Sequence, residues 1–172
     1  MSERMILESA GAEAPGRRRI FVDPFTGVSH AIMATAKTDR SVITAIRADV
    51  GEAEAYKAAL LRGEIGLQRA MGSNVVGADF ITAIRDGDGG VREVLVTDVK
   101  TTTTGKLPTP KNQMPGSWMA EVQAAVSPSR LKLNDTALET SIRSAVAAGH
   151  VRLRQLNVDY SPGGQGQISG WK

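Results

Sequence analysis

Three residues in the middle of the chain have the types and spacing to act on a charged ester. Asp79 lies in Gly77-Ala78-Asp79-Phe80, and Asp98 and Lys100 lie in Val96-Thr97-Asp98-Val99-Lys100. Both segments are apolar around their charges. Bringing two like charges together out of water is costly unless something compensates. A divalent cation held by carboxylate oxygens is the usual compensation. A cation beside an ammonium group is what the breaking of a phosphodiester bond calls for.

The elements that must position these residues are legible around them. Asp86-Gly87-Asp88-Gly89-Gly90 is a strong hairpin turn. Residues 75–85 before it and 91–100 after it are rich in apolar and β-branched side chains, which predicts two strands. Asp79 and Asp98 stand almost equally far from the turn, so the hairpin makes them cross-strand neighbours. The strand period of two puts Asp98 and Lys100 on one face with Val94 and Val96, and Asp79 on a face with Val75, Ile81 and Ala83. Each face is apolar along most of its length and charged at one end, the pattern of a site at the rim of a core.

Upstream, residues 52–71 are rich in good helix formers, and Asp49 is placed to cap the start of a helix there. Glu64 lies near the apolar stripe of that helix, next to Gly63 and close to Gly66. Glycine inside a helix costs about 1 kcal/mol against alanine, so the pair predicts close backbone approach to the sheet. Each of these residues taken singly reads more simply as solvated charge. The ordered set of helix glutamate, strand aspartate, hairpin and Asp-x-Lys is much rarer.

On Glu64, Asp79, Asp98-Val99-Lys100 and the later Gln113, the chain resembles the PD-(D/E)XK nuclease superfamily over roughly residues 51–160. Ala78 stands where the motif's name has proline, a proline often missing across the superfamily. Gly63-Glu64-Ile65-Gly66, Gly77-Ala78-Asp79-Phe80-Ile81, Asp98-Val99-Lys100-Thr101-Thr102 and the stretch from Gln113-Met114 to Trp118 are also similar to bacterial toxin nucleases. Those nucleases form the C-termini of polymorphic and contact-dependent inhibition toxins. The resemblance implies an α/β, restriction-endonuclease-like core with a mixed central β-sheet flanked by helices. It implies Mg2+ or Mn2+, with Zn2+ less suited, held by Asp79, Asp98 and Glu64. Lys100 would position water or stabilise charge developing on phosphorus, and Gln113 would orient water or a phosphate. DNA is slightly ahead of transfer RNA as the expected substrate. The toxin likeness implies delivery as part of a larger toxin, action in the cytoplasm of the cell it reaches, and a cognate immunity protein.

Basic residues elsewhere are candidates to grip a nucleic-acid backbone. Lys106 and Lys111 lie on or beside a loop over residues 101–110 that leaves the strand bearing Asp98. Arg152 and Arg154 alternate on the outer face of a strand predicted over residues 151–158. Arg17-Arg18-Arg19 is a further basic run. For all of these a solvated surface is the plainer reading. A helix over residues 117–126 places Trp118 in the core, and a second, over residues 134–148, has Asn134 or Asp135 as its cap.

The expected organisation is an N-terminal extension or small subdomain over residues 1–50, a nuclease core over 51–160 and a glycine-rich, flexible tail over 161–172. A length of 172 residues suits one domain with a real core. A net charge of +3 and an isoelectric point of about 9.4 fit an anionic partner. The absence of cysteine excludes disulfides and thiolate zinc sites. No apolar run approaches the roughly 18 residues of a membrane span, and Met1-Ser2-Glu3-Arg4 does not open a secretory signal peptide. His30 and His150 lack metal-ligand spacing, and neither a G-x-S-x-G elbow nor a P-loop is present. Two readings compete with a nuclease: a catalytically silent nucleic-acid-binding or assembly module, and a plain interaction domain.

Overall fold

The computed structural model describes residues 6–8, 18–22, 29–33, 39–69, 77–161 and 166–171, with side chains from residue 47 onward. The Arg17-Arg18-Arg19 side chains, the His30 side chain and Val75 lie outside the described residues. Three short strands open the chain: β1 (Ile6–Glu8), β2 (Arg18–Val22) and β3 (Ser29–Met33), paired antiparallel in that order. The helix α1 follows over Asp39–Leu61, then the strands β4 (Ile65–Arg69), β5 (Phe80–Arg85) and β6 (Val91–Thr102). Two helices, α2 (Gly116–Ala125) and α3 (Thr136–Ala147), lead to β7 (Val151–Asp159) and β8 (Gln167–Ser169). The last five strands form one sheet in the order β4-β5-β6-β7-β8. Among the described residues only the β6–β7 pair is parallel, and α2 and α3 make the crossover that a parallel pair requires. The chain is therefore an α/β protein with a mixed five-stranded sheet flanked by helices.

The helix α1 starts well before residue 52, so Asp49 lies inside it and not at its start. It also stops well short of residue 71, for a local reason. Gly63 takes φ +88°; its N–H bonds the Leu60 carbonyl at 3.0 Å, and the Glu64 N–H bonds the Ala59 carbonyl at 3.2 Å. This is a Schellman stop, which glycine supplies without strain. The chain then turns into β4. Gly66 sits there against the Tyr56 ring, where a methyl group would have no room. The predicted close approach thus joins strand to helix.

The hairpin forms as the turn chemistry demands. The Asp86 side chain accepts from the Asp88 N–H at 3.1 Å, and Gly89 takes φ +85°. Phe80 faces Thr97 and Ile81 faces Val96, so the register carried one step further sets Asp79 opposite Asp98. The Asp79 N–H donates to the Thr97 carbonyl at 3.0 Å.

Two apolar layers hold the sheet. On one face Ile81, Ala83, Val94 and Val96 pack against Trp118 and Val122 of α2 and Leu138 and Ile142 of α3. On the other, Phe80, Val99, Leu156 and Val158 pack against Val50, Ala55 and Ala59 of α1. Trp118 is in the core as expected, and Asp135 caps α3 by accepting from the Leu138 N–H at 2.9 Å. The C-terminal segment departs from expectation. Its β8 pairs with β7, and Gly170 lies directly on the Gln155 carbonyl, where no side chain fits.

Candidate active site

Asp79 and Asp98 face each other where β5 begins and β6 nears its end, close enough for the Asp98 charge to act on Asp79. Asp79 is half-buried, and its Oδ2 accepts the Val99 N–H. Asp98 is only 4 % exposed. Its Oδ1 accepts from Lys100 Nζ at 2.8 Å, while its Oδ2 accepts no hydrogen bond. An acceptor left unsatisfied in the interior carries its full desolvation cost. Lys111 Nζ stands 3.7 Å from Oδ2, beyond hydrogen-bond reach.

The backbone before Asp79 is fixed from α2. Glu121 Oε2 accepts the Ala78 N–H at 3.2 Å, and its carboxylate fills the space a Gly77 side chain would need. Gly77 takes φ +147°, a second reason for glycine there. A cavity of about 420 Å3 adjoins Asp79, lined also by Arg47, Glu52, Lys100, Thr101 and Thr103 but not by Asp98.

The carboxylate that lines this cavity beside Asp79 is Glu52, from the middle of α1, and not Glu64. Gly51 lets the helix press onto Thr101 of β6, where a methyl group would collide, and that contact brings Glu52 to the rim. The signal was present in the sequence as Gly51-Glu52, a glycine beside a helix glutamate. Glu64 lies elsewhere. It forks onto Arg154 at 2.6 and 3.0 Å and accepts from the Thr82 hydroxyl at 2.6 Å.

Arg154 is accordingly not on an outer face: its side chain is 2 % exposed, bonded to Glu64 and to the Thr97 hydroxyl and set against the Trp171 ring. Arg152 is half-buried and bonds Glu93 at 2.9 Å, toward the opposite end of β6. Gln113 and Lys106 are exposed on the loop between β6 and α2 and line no part of the cavity. Lys111, on the same loop, does reach Asp98.

The electrostatics match this partition. Burial, with Asp79 and Asp49 nearby, pushes the Glu52 carboxyl from its ordinary 4.5 to about 7 against the opposing charges of Arg69 and Lys100. Burial and the Asp98 charge also push Asp79 up, outweighing the Val99 hydrogen bond. Burial pushes Glu64 the same way, but its bonds to Arg154 and Thr82 outweigh it and hold the carboxyl low. The site is thus strained by like charge, and the Glu64 pair is satisfied.

A pH prediction follows with a definite sign. A carboxyl raised in the fold favours folding while protonated, and that stability is lost as pH rises from about 4.5 through about 7. Glu52→Gln is therefore expected to stabilise the chain at pH 8 and to change little at pH 4.5, read by urea unfolding in a chelator. An equal effect at both pH values would show that Glu52 carries no such shift.

A hard cation is compatible with these donors. Among the described residues no three acidic or histidine side chains converge into a ready cage. Mg2+ needs none, because it is commonly held by one or two carboxylates with waters and substrate phosphates. The buried, unbonded Asp98 oxygen beside Asp79 is a donor of that kind, whereas no histidine or thiolate is at hand for zinc. No protein-family model, curated protein or solved structure matches the chain. Among the described residues no helix is long and apolar enough to cross a membrane.

Proposed function

We propose that the chain is a divalent-metal-dependent nuclease on a restriction-endonuclease-like core, hydrolysing phosphodiester bonds of DNA or, next in order, transfer RNA. One observation carries this reading: a buried Asp98 oxygen with no hydrogen bond sits at the strand position facing Asp79, a carboxylate that lines a cavity together with Lys100. Two repelling carboxylates and an unsatisfied acceptor are an energetic cost to the fold, and costs of this kind concentrate where function needs them.

Asp98 and Asp79 would hold Mg2+ or Mn2+, which when bound polarises a phosphoryl oxygen and makes a coordinated water more acidic. Lys100 Nζ, fixed at 2.8 Å from Asp98, presents its charge beside the carboxylates, where phosphoryl oxygens would gather charge. Glu52, with its carboxyl near neutrality, is the group at the cavity equipped to exchange a proton with water. Glu121 keeps Asp79 in register through the Ala78 N–H.

The test is incubation with supercoiled plasmid DNA and with total transfer RNA, in Mg2+ and then in chelator. Cleavage that needs the ion and that Asp79→Ala and Asp98→Ala remove is the expected result. Salt-sensitive binding without cleavage in Mg2+ or Mn2+ would make the chain a silent binding module instead. The toxin role, with its immunity protein, rests on the motif wording alone. Growth arrest on expression inside bacteria, relieved by Asp98→Ala, is the corresponding expectation.

A further inference from the structure

The Asp98 carboxylate faces two ammonium groups of different standing. Lys100 belongs to β6, the strand that carries Asp98, and makes a 2.8 Å hydrogen bond. Lys111 comes from the exposed loop between β6 and α2 and stands at 3.7 Å from the other oxygen. What holds it there is an aromatic face: its Nζ lies 4.2 Å from the centroid of the buried Trp118 ring. That is well inside the range of a cation–π contact. The Lys111 charge also acts on Asp79, pulling its carboxyl down against burial and Asp98.

The geometry therefore sets a loop cation against a buried carboxylate oxygen, Asp98 Oδ2, that lacks a hydrogen bond. A divalent ion taking that oxygen would meet the ammonium that now stands 3.7 Å from it, and like charges that close repel. We infer that Lys111 is a built-in counter-cation of Asp98, parked on Trp118, that competes with the divalent ion and is displaced when the ion binds. The inference rests on Asp98 being an ion site, as proposed above, and gives Lys111 a role that needs no nucleic acid. It explains why a buried, unbonded oxygen is tolerated: a charge stands near it without satisfying it. The Lys111 side chain is 44 % exposed, and the loop around it is anchored on either side, where the Pro108 carbonyl accepts from Gln155 and Met114 packs on the core, so the ammonium can leave Asp98 without the loop unfolding.

The test measures Mn2+ binding without substrate, through the loss of the free-ion EPR signal. Lys111→Met is expected to tighten Mn2+ binding by about threefold to tenfold. Lys106→Met, on the same loop but outside the site, is expected to change it by less than about twofold, the effect of net charge alone. Equal gains from the two variants, or no gain from Lys111→Met, would overturn the competition. If the chain binds Mn2+, Asp98→Asn does not and Lys111→Met is unchanged, only this inference falls. If Asp98→Asn binds Mn2+ as well as the parent chain, or nothing binds, the ion-site reading falls and this inference with it.

Discussion

Asp98→Asn is expected to lower Mg2+-dependent cleavage by about a hundredfold to a thousandfold while leaving the fold as stable as before or slightly more so. The two effects separate for a physical reason. Asparagine has nearly the shape of aspartate but no charge, so it relieves the repulsion with Asp79 and removes an oxygen that accepts no hydrogen bond. Against that, the fold loses the Lys100 ion pair, whose lysine side chain is 39 % exposed. Such a pair contributes about 0–1 kcal/mol. The charge that an ion and a reacting phosphate would need is lost outright. Plasmid cleavage rates beside thermal unfolding midpoints are the measurement. A variant that keeps more than a tenth of the parent activity would sink the assignment, and one that unfolds would show that Asp98 serves the fold.

Glu64→Ala is expected to do the reverse. The substitution strands the Arg154 guanidinium with a side chain 2 % exposed and without its bonds at 2.6 and 3.0 Å. Removing one partner of a buried ion pair costs about 3–5 kcal/mol. For a chain of this size that lowers the melting temperature by roughly 6–20 °C. The double variant Glu64→Leu, Arg154→Met is expected to recover most of the loss, because two apolar side chains need no counter-charge. Activity per folded molecule should be nearly unchanged, since both Glu64 oxygens are already taken by Arg154 and Thr82. A Glu64→Ala chain that folds normally but cannot cleave would restore Glu64 as a metal ligand and displace Glu52.

The contrast between these two carboxylates marks where local reading ends. The Asp79–Asp98 pairing was legible because turn chemistry and a period of two are properties of the chain itself, and a hairpin between them leaves one register. The Trp118 core position, a cap at Asn134 or Asp135 and the strand β7 were legible on the same terms, and the structure places the cap at Asp135. The choice of glutamate was not. Glu52 and Glu64 each follow a glycine in a helix-rich stretch. What separates them is that Gly63 stops α1 while Gly51 presses it onto β6.

Arg152 and Arg154 make the same point. Alternation assigns both to one face but does not say what covers that face. Here Glu64 and Trp171 close over Arg154, while Arg152 bonds Glu93. Composition also failed at the C-terminus, because glycine chosen for close approach looks the same as glycine chosen for freedom. Gly170 against the Gln155 carbonyl is the former.

By itself, then, the order of residues determined the hairpin, its register and the two aspartates that face each other, since these depend on neighbours a short walk along the chain. The helix glutamate that joins them, the arginine that is buried and the lysine set over Trp118 were decided only by the packing of α1, α2 and the loop before α2 onto the sheet. Those contacts link residues far apart in sequence, and no local period encodes them.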